Sequence, residues 1–258
     1  MNQQDTNKIE AMKEGGKVLG AILQELLDKT VPGITLLEIE ALTQLRIKEA
    51  GMKPSFSTVA DYKWATCLCV NDVIVHGIPS SYVVAEGDLL TIDVGLIHKQ
   101  YHTDTAWSKI VKAKGSSYTT SDAVQKFLDV GEHALQMAIK QAKAGNRVGH
   151  ISKTIQDIVE GSGYGIVKPL VGHGVGKTLH EEPQIPGFLR GPIEKTPLLT
   201  DGMTIAIEVI YSMGNPTVYY HEDGWSIGTR DHSLSAVFEQ TIAISKDSPI
   251  IITPPHVV

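Results

Sequence analysis

The sequence predicts an α+β fold in which helices cover one face of a mainly antiparallel sheet. Three observations lead there. Two helix pairs with apolar residues at helical spacing lie far apart in the chain. Strand-like segments rich in β-branched and aromatic residues follow each pair. The pairs also resemble each other: Gly33 to Ile39 and Gly145 to Ile151 have the same spacing, 112 residues apart. That is a weak internal repeat of α-α-β units.

In order, Ile9, Met12, Leu19, Ile22, Leu23 and Leu26 mark the first helix, and Pro32-Gly33 breaks it. Thr35-x-x-Glu38 is a capping box that opens a second helix running to about Gly51. Ser121 caps a third helix, with Val124, Phe127, Leu128, Leu135 and Ile139 on one face. Gly145 ends it, and a short helix with Ile151, Ile155 and Ile158 runs to Gly161. The strand-like segments are "TCLCVNDVIVHGIP", "DLLTIDVGLIHKQYHTDTAWSKIV", "MTIAIEVIYSM", "TVYYHEDGWSIGT" and "LSAVFEQTIAIS". No Pro/Gly/Ser-rich linker divides the chain, so one domain over 1–258 is expected, with "SPIIITPPHVV" as a surface segment.

Bulk composition narrows the function. The chain has 258 residues, 42% hydrophobic and 20% charged, typical of a globular protein. A net charge of −6 gives no footprint for nucleic acid or an anionic membrane. The two cysteines, Cys67 and Cys69, are too close along a strand to pair and too few for a structural zinc. A reducing cytoplasm is the expected location. The first residues hold no apolar run of a secretory signal, and no stretch approaches the ~20 apolar residues of a membrane helix.

Two carboxylates raise the first chemical question. Asp93 and Asp104 lie in "IDVGLIHKQYHTD", which reads as two strands joined around His98-Lys99. A hairpin centred there pairs residues whose numbers sum to 197, so the two aspartates face each other. Opposed like charges destabilise a sheet unless a cation or a shared proton neutralises them; the plain alternative is a different register. Glu208 in "TIAIEVI" and Glu239 in "AVFEQTIAI" also sit in apolar strands, where each alone could face outward. With His173 from "VGHGVGKTLHEEP", the inventory becomes two Asp, one His and two Glu. Oxygen-rich donors with one imidazole suit a pair of divalent ions.

The Gly176-Lys177-Thr178 triplet resembles the end of a phosphate-binding loop, but five positions before Gly176 stands Val171, where that loop needs Gly. Pro183 also forbids the helix that should follow. Lys177 and Thr178 are therefore expected at the surface or rim.

The stretches "NDVIVHGIP", "TIDVGLIHKQYHTDTA", "GHGVGKTLHEEPQIP", "GMTIAIEVI", "EDGW" and "SLSAVFEQTI" together resemble type I methionine aminopeptidases, of the pita-bread fold shared with creatinase and prolidase. The resemblance covers nearly the whole chain. It implies a pseudo-twofold fold and five metal ligands, Asp93, Asp104, His173, Glu208 and Glu239, holding two divalent ions (Co, Mn, Fe or Zn). It implies substrate contacts by His76 and His180, and a methionine pocket lined by Tyr62, Cys67 and Trp225. The implied activity is removal of N-terminal methionine before a small second residue, by metal-activated water. Glu208 then moves the proton and His180 supports the oxyanion. Implied partners are nascent polypeptide N-termini near the ribosome, for a monomer without membrane or direct nucleic-acid contact.

Four positions depart from the family pattern. Leu179 stands where Phe is usual, Leu170 where many bacterial members have Tyr, Val209 where Pro follows the ligand, and Thr103 where Gly precedes the Asp. None removes a ligand, whereas Leu170 and Leu179 bear on pocket shape. His76 and His180, taken alone, also fit as structural histidines. His102 shares a face with Asp104 and is expected either to support it or to serve a structural role, rather than to ligate.

Overall fold

Side-chain oxygens and glycines set where the helices begin and turn. The computed structural model describes residues 2–254. Thr35 and Glu38 make the predicted capping box, each side chain accepting from the other's backbone N–H, and open α2 (Leu36–Glu49). An equivalent box between Asn2 and Asp5 starts α1 (Gln3–Lys29) ahead of Ile9. The Ser121 hydroxyl accepts from Val124 N at the start of α3 (Asp122–Gln141), and α4 (Val148–Gly161) follows. Gly33 and Gly145, with φ of 99° and 94°, occupy the left-handed region in the two helix–helix turns.

The strands are β1 (Lys53–Pro54), β2 (Thr66–Val70), β3 (Val73–Val75), β4 (Leu89–His98), β5 (Tyr101–Ile110), β6 (Gly165–Ile166), β7 (Val171–Gly174), β8 (Glu181–Pro186), β9 (Thr204–Ser212), β10 (Val218–Tyr220), β11 (Ile227–Thr229), β12 (Ser235–Ala243) and β13 (Ile250–Ile251). The offset of 112 holds at element level: it carries α2 onto α4 and β1 onto β6. Beyond those elements the halves keep their order but not their spacing, so β4 and β5 match β9 and β12.

The main sheet runs β1-β4-β5-β12-β9-β7-β8, with β2 on β4, β6 on β9 and β13 on β12, every pairing antiparallel. The two halves meet where β5 pairs with β12. A second sheet, β10-β11-β3, was not expected; it takes the end of the "TCLCVNDVIV" segment away from β2.

The predicted hairpin register is corrected by one pair. Asp93 faces Ala106 and Asp104 faces Gly95, because the turn is Lys99-Gln100, both at positive φ, rather than His98-Lys99. Two residues at positive φ are the mark of a type I′ turn, the tight connection for twisted strands. The shift leaves parity intact, so both aspartates stay on one face as diagonal neighbours.

Parity also separates core from site. Leu90, Ile92, Val94 and Leu96 of β4, and Ile205, Ile207, Val209 and Tyr211 of β9, join the core beneath the helices. There Leu19, Leu23 and Leu26 of α1 and Phe127 and Leu135 of α3 are buried, and Trp107 meets Phe238 edge-on at 5.1 Å. Asp93 and Glu208 occupy the alternate positions, so they face away from the helices.

The segment after residue 247 is not the surface segment expected. Its described part pairs with β12 and runs beneath α1, with Ile252 and Thr253 buried. Thr253 Oγ1 accepts from Thr241 N, and Thr253 O accepts from Gln240 Nε2. Gly16 permits the crossing: a Cβ there would lie 2.2 Å from Ile252 O. An exposed helical Gly→Ala change normally gains up to about 1 kcal/mol. Here the overlap outweighs it, and Gly16→Ala is expected to lose about 1–3 kcal/mol in urea unfolding. A gain in stability would mean that the segment does not pack on α1.

Candidate metal centre

Four central strands bring four carboxylates to one place. On β12, Glu239 lies between Glu208 of β9 and Ala106 of β5, and Ala106 in turn lies opposite Asp93 of β4. Asp104 is two residues from Ala106 on the same face. Neighbouring strands are about 4.8 Å apart, so a methyl-sized residue between Asp93 and Glu239 leaves space above the sheet. Sequence reasoning missed this use of Ala106, which looked like any small strand residue.

The fifth member comes from β7. Gly172 lets this strand press onto β9; a Cβ there would meet Ala206 O at 2.5 Å. His173 then pairs with Ala206, diagonal to Glu208, and its Nε2 lies 3.5 Å from Glu208 Oε1. His173 Nδ1 donates to Gly174 O at 2.8 Å, which leaves Nε2 to act as a ligand. Donor atoms of Asp104, His173 and Glu239 lie within 4.8 Å of one another, all three buried.

Backbone contacts steady Asp104. Its N donates to Thr241 Oγ1, which donates back to Asp104 O, and Thr105 N donates to Oδ1. His102 Nδ1 shares a hydrogen bond with the Ser55 hydroxyl, a structural contact.

Burial and mutual repulsion push Asp93, Glu208 and Glu239 well above the usual carboxylate range. Burial also raises Asp104, to about 7, although Thr105 N–H opposes the shift. Burial lowers His173 to about 4 and holds His76 and His180 below the ordinary histidine value, so all three favour the neutral imidazole.

A cavity of about 300 Å³ opens over these groups. Its floor holds the five acidic and imidazole donors. His76 and His180 stand at its exposed mouth, His76 in the left-handed region at φ 58°, His180 with its ring 4.5 Å from that of His173. The remaining wall is apolar: Phe56, Tyr62, Cys67 and Leu179 pack with Trp225, and the Tyr62 and Trp225 rings meet at 4.9 Å. All ten residues singled out from sequence line this one cavity, together with Leu170 and Leu179. Both cysteines are free and buried, and burial pushes their thiols up, Cys69 to about 12. Lys177 and Thr178 are exposed, and Thr178 N donates to Glu181, so no phosphate is needed there.

A sequence profile described as metallopeptidase family M24 matches residues 10–246. The chain belongs to metallopeptidase family M24. Methionine aminopeptidase 1 of Bacillus subtilis is 38% identical over 242 residues, covering 94% of each chain. The crystal structure of methionine aminopeptidase from Thermotoga maritima superposes with a TM-score of 0.91 at 38% identity, covering 96% of this chain and 97% of that one. The prolidase from Pyrococcus furiosus shares the fold alone, at 21% identity and a TM-score of 0.76, with 65% of its length covered. These similarities establish the pita-bread architecture.

An M24 metallopeptidase must hold metal, and the residues present fit it. Asp93 Oδ1 and Glu239 Oε1 are buried and find no hydrogen-bond partner among the described residues. A buried carboxylate oxygen left so is costly unless a cation meets it. Oxygen donors with one imidazole accept several divalent ions.

Proposed function

We propose that this chain removes N-terminal methionine from proteins and peptides with a small second residue. The observation that carries this reading is the meeting of five donor side chains, drawn from both halves of the fold, beneath a cavity with an apolar, aromatic wall. Asp93, Asp104, His173, Glu208 and Glu239 would hold two divalent ions (Co, Mn, Fe or Zn), which when bound supply Lewis acidity and a reactive water near neutral pH.

The chain's own residues do the rest. Glu208 reaches the cavity with its side chain 14% exposed, and carries the proton from the attacking water to the leaving amine. His180, held neutral, donates a hydrogen bond to the developing oxyanion. His76 contacts the scissile amide or the next residue's backbone. The substrate's α-amine meets the carboxylate cluster, which restricts the enzyme to free N-termini. Tyr62, Cys67 and Trp225 receive the thioether side chain, where sulfur–aromatic contacts add roughly 0.3–1.5 kcal/mol.

Substrates are nascent N-termini near the ribosome, met in the cytoplasm by a monomer built as one catalytic domain. The free, buried thiols suit a reducing compartment. No helix among the described residues is long and apolar enough to cross a membrane.

Assays of Met-Ala-Ser and Leu-Ala-Ser peptides with added Mn, Co, Fe or Zn test the function; inactivity with every metal would refute it. Leu179 is the departure that touches the pocket most directly, buried among Phe56, Tyr62 and Cys67. Leu179→Ala frees volume beside the substrate side chain. It is expected to raise the rate for Phe-Ala-Ser relative to Met-Ala-Ser about tenfold, since a few methylenes are worth about 1–3 kcal/mol in such a pocket. An unchanged ratio would place Leu179 outside the specificity pocket.

A further inference from the structure

Glu40 is a buried carboxylate on α2, outside the lining of the metal cavity, with 2% of its surface exposed. Among the described residues its hydrogen-bond partners are uncharged. Its Oε1 accepts from Ala65 N at 2.8 Å and Gln44 Nε2 at 2.6 Å. Its Oε2 accepts from Thr66 N at 3.0 Å and Thr66 Oγ1 at 2.5 Å. Both oxygens are thus fully used as acceptors, and two of the four donors are consecutive backbone N–H groups where β2 begins.

Those two N–H groups sit at the root of the apolar wall. Cys67, the next residue, lines the cavity and pairs directly with Asp93 across β2 and β4. Thr66 O accepts from the Tyr62 hydroxyl at 2.7 Å, and the same hydroxyl lies 3.3 Å from Cys67 Sγ. Tyr62 then carries Trp225 against its ring. A continuous set of contacts therefore runs from the α2 carboxylate, through the Thr66 backbone, to the three residues that form the pocket.

We propose that Glu40 is a positioning residue for substrate selectivity: its carboxylate fixes the Tyr62–Cys67 wall relative to Asp93 and so sets how the substrate side chain fits beside the metal centre. The inference rests on the reading of that wall as the side-chain pocket. A buried carboxylate that served only the fold would lower stability on removal and leave selectivity untouched. One that positions the wall alters KM and selectivity while the reacting groups, on other strands, keep kcat.

The test uses Glu40→Gln, which keeps size but turns one acceptor into a donor facing donors. In metal-loaded protein, KM for Met-Ala-Ser is expected to rise about tenfold with kcat within about twofold, consistent with lost binding rather than lost transition-state contacts. The Met-Ala-Ser to Leu-Ala-Ser ratio of kcat/KM is expected to fall about fivefold. Thr66→Val removes the hydroxyl donor alone and is expected to move both quantities in the same direction by less; it decides the matter if Glu40→Gln does not fold. Lower melting temperature with KM and the ratio unchanged, or a loss confined to kcat, overturns the proposal. Trp225→Ala separates the two readings. If it shifts the ratio and the Glu40 and Thr66 variants do not, only the role of Glu40 fails. If it leaves the ratio unmoved, the pocket reading fails and Glu40's role with it.

Discussion

Asp104→Asn is expected to remove turnover of Met-Ala-Ser almost completely while leaving the metal-free protein as stable as before, or more so. The two halves of that result have one cause. Asp104 is one of three residues whose donor atoms converge within 4.8 Å, so losing its charge weakens cation binding directly. Even changes behind metal ligands cost about 10–100-fold in affinity or activity, and loss of a ligand charge should exceed that. The amide oxygen can still accept from Thr105 N, so local geometry survives. Without a cation, the wild-type Asp104 carboxyl pays for burial among Asp93, Glu208 and Glu239, and the neutral amide does not. Titration calorimetry with Mn²⁺, together with thermal unfolding in chelator, reads both. An active Asp104→Asn protein with normal metal affinity would remove the proposed centre. A variant that is inactive only because the chelated protein unfolds would show that Asp104 is structural.

Much of this centre was legible because acidic residues in apolar strands are conspicuous. Asp93, Asp104, Glu208 and Glu239 each break a run of β-branched residues, and alternation along a strand fixes the face without knowledge of register. That is why the hairpin could be misplaced by a pair and the aspartates still fall together. The turn itself was not legible: Lys99-Gln100 lacks the Asn or Gly that usually marks two residues at positive φ. The repeat was visible from Gly33 and Gly145, since glycine is the default residue for those φ values. It fades after β1 and β6 because the connections differ in length between the halves.

Residues that act by being small or by bonding to backbone left no signal. Ala106 and Gly95, the cross-strand partners of the aspartates, have ordinary strand neighbours. Thr241 binds both backbone groups of Asp104 from another strand, and nothing in "FEQTIAI" predicts that contact. The segment after residue 247 departs from expectation for a related reason. Its Pro-Pro pair suggests a surface tail, but the small face of α1 at Gly16 and Gly20, read only as part of a helix, receives it.

Metal is expected to stabilise the protein more at pH 8 than at pH 6.5. The sign follows from proton binding by the folded state. Burial raises Asp104 to about 7 when folded, and burial with mutual repulsion pushes Asp93, Glu208 and Glu239 well above the usual carboxylate range. Unfolded carboxylates titrate near 4. The chelated folded state therefore holds more protons than the unfolded one. Its stability falls as pH rises through that window, by about 1.4 kcal/mol per pH unit for each extra proton held. His173, His76 and His180 act oppositely, since burial lowers them; their contribution is lost as pH falls below the unfolded value near 6.5. That opposing slope fades as pH rises from 6.5 to about 7.5, and below about pH 8 the raised thiols of Cys67 and Cys69 are not yet involved. His76 and His180 contribute the same slope with or without the ion, so the carboxylate cluster governs the difference between the two. The melting temperature of chelated protein should fall relative to that of Mn²⁺-saturated protein from pH 6.5 to 8, so the gap should widen. Asp104→Asn should reduce that widening. Parallel curves for chelated and metal-loaded wild type would mean that these four carboxylates do not bind the ion.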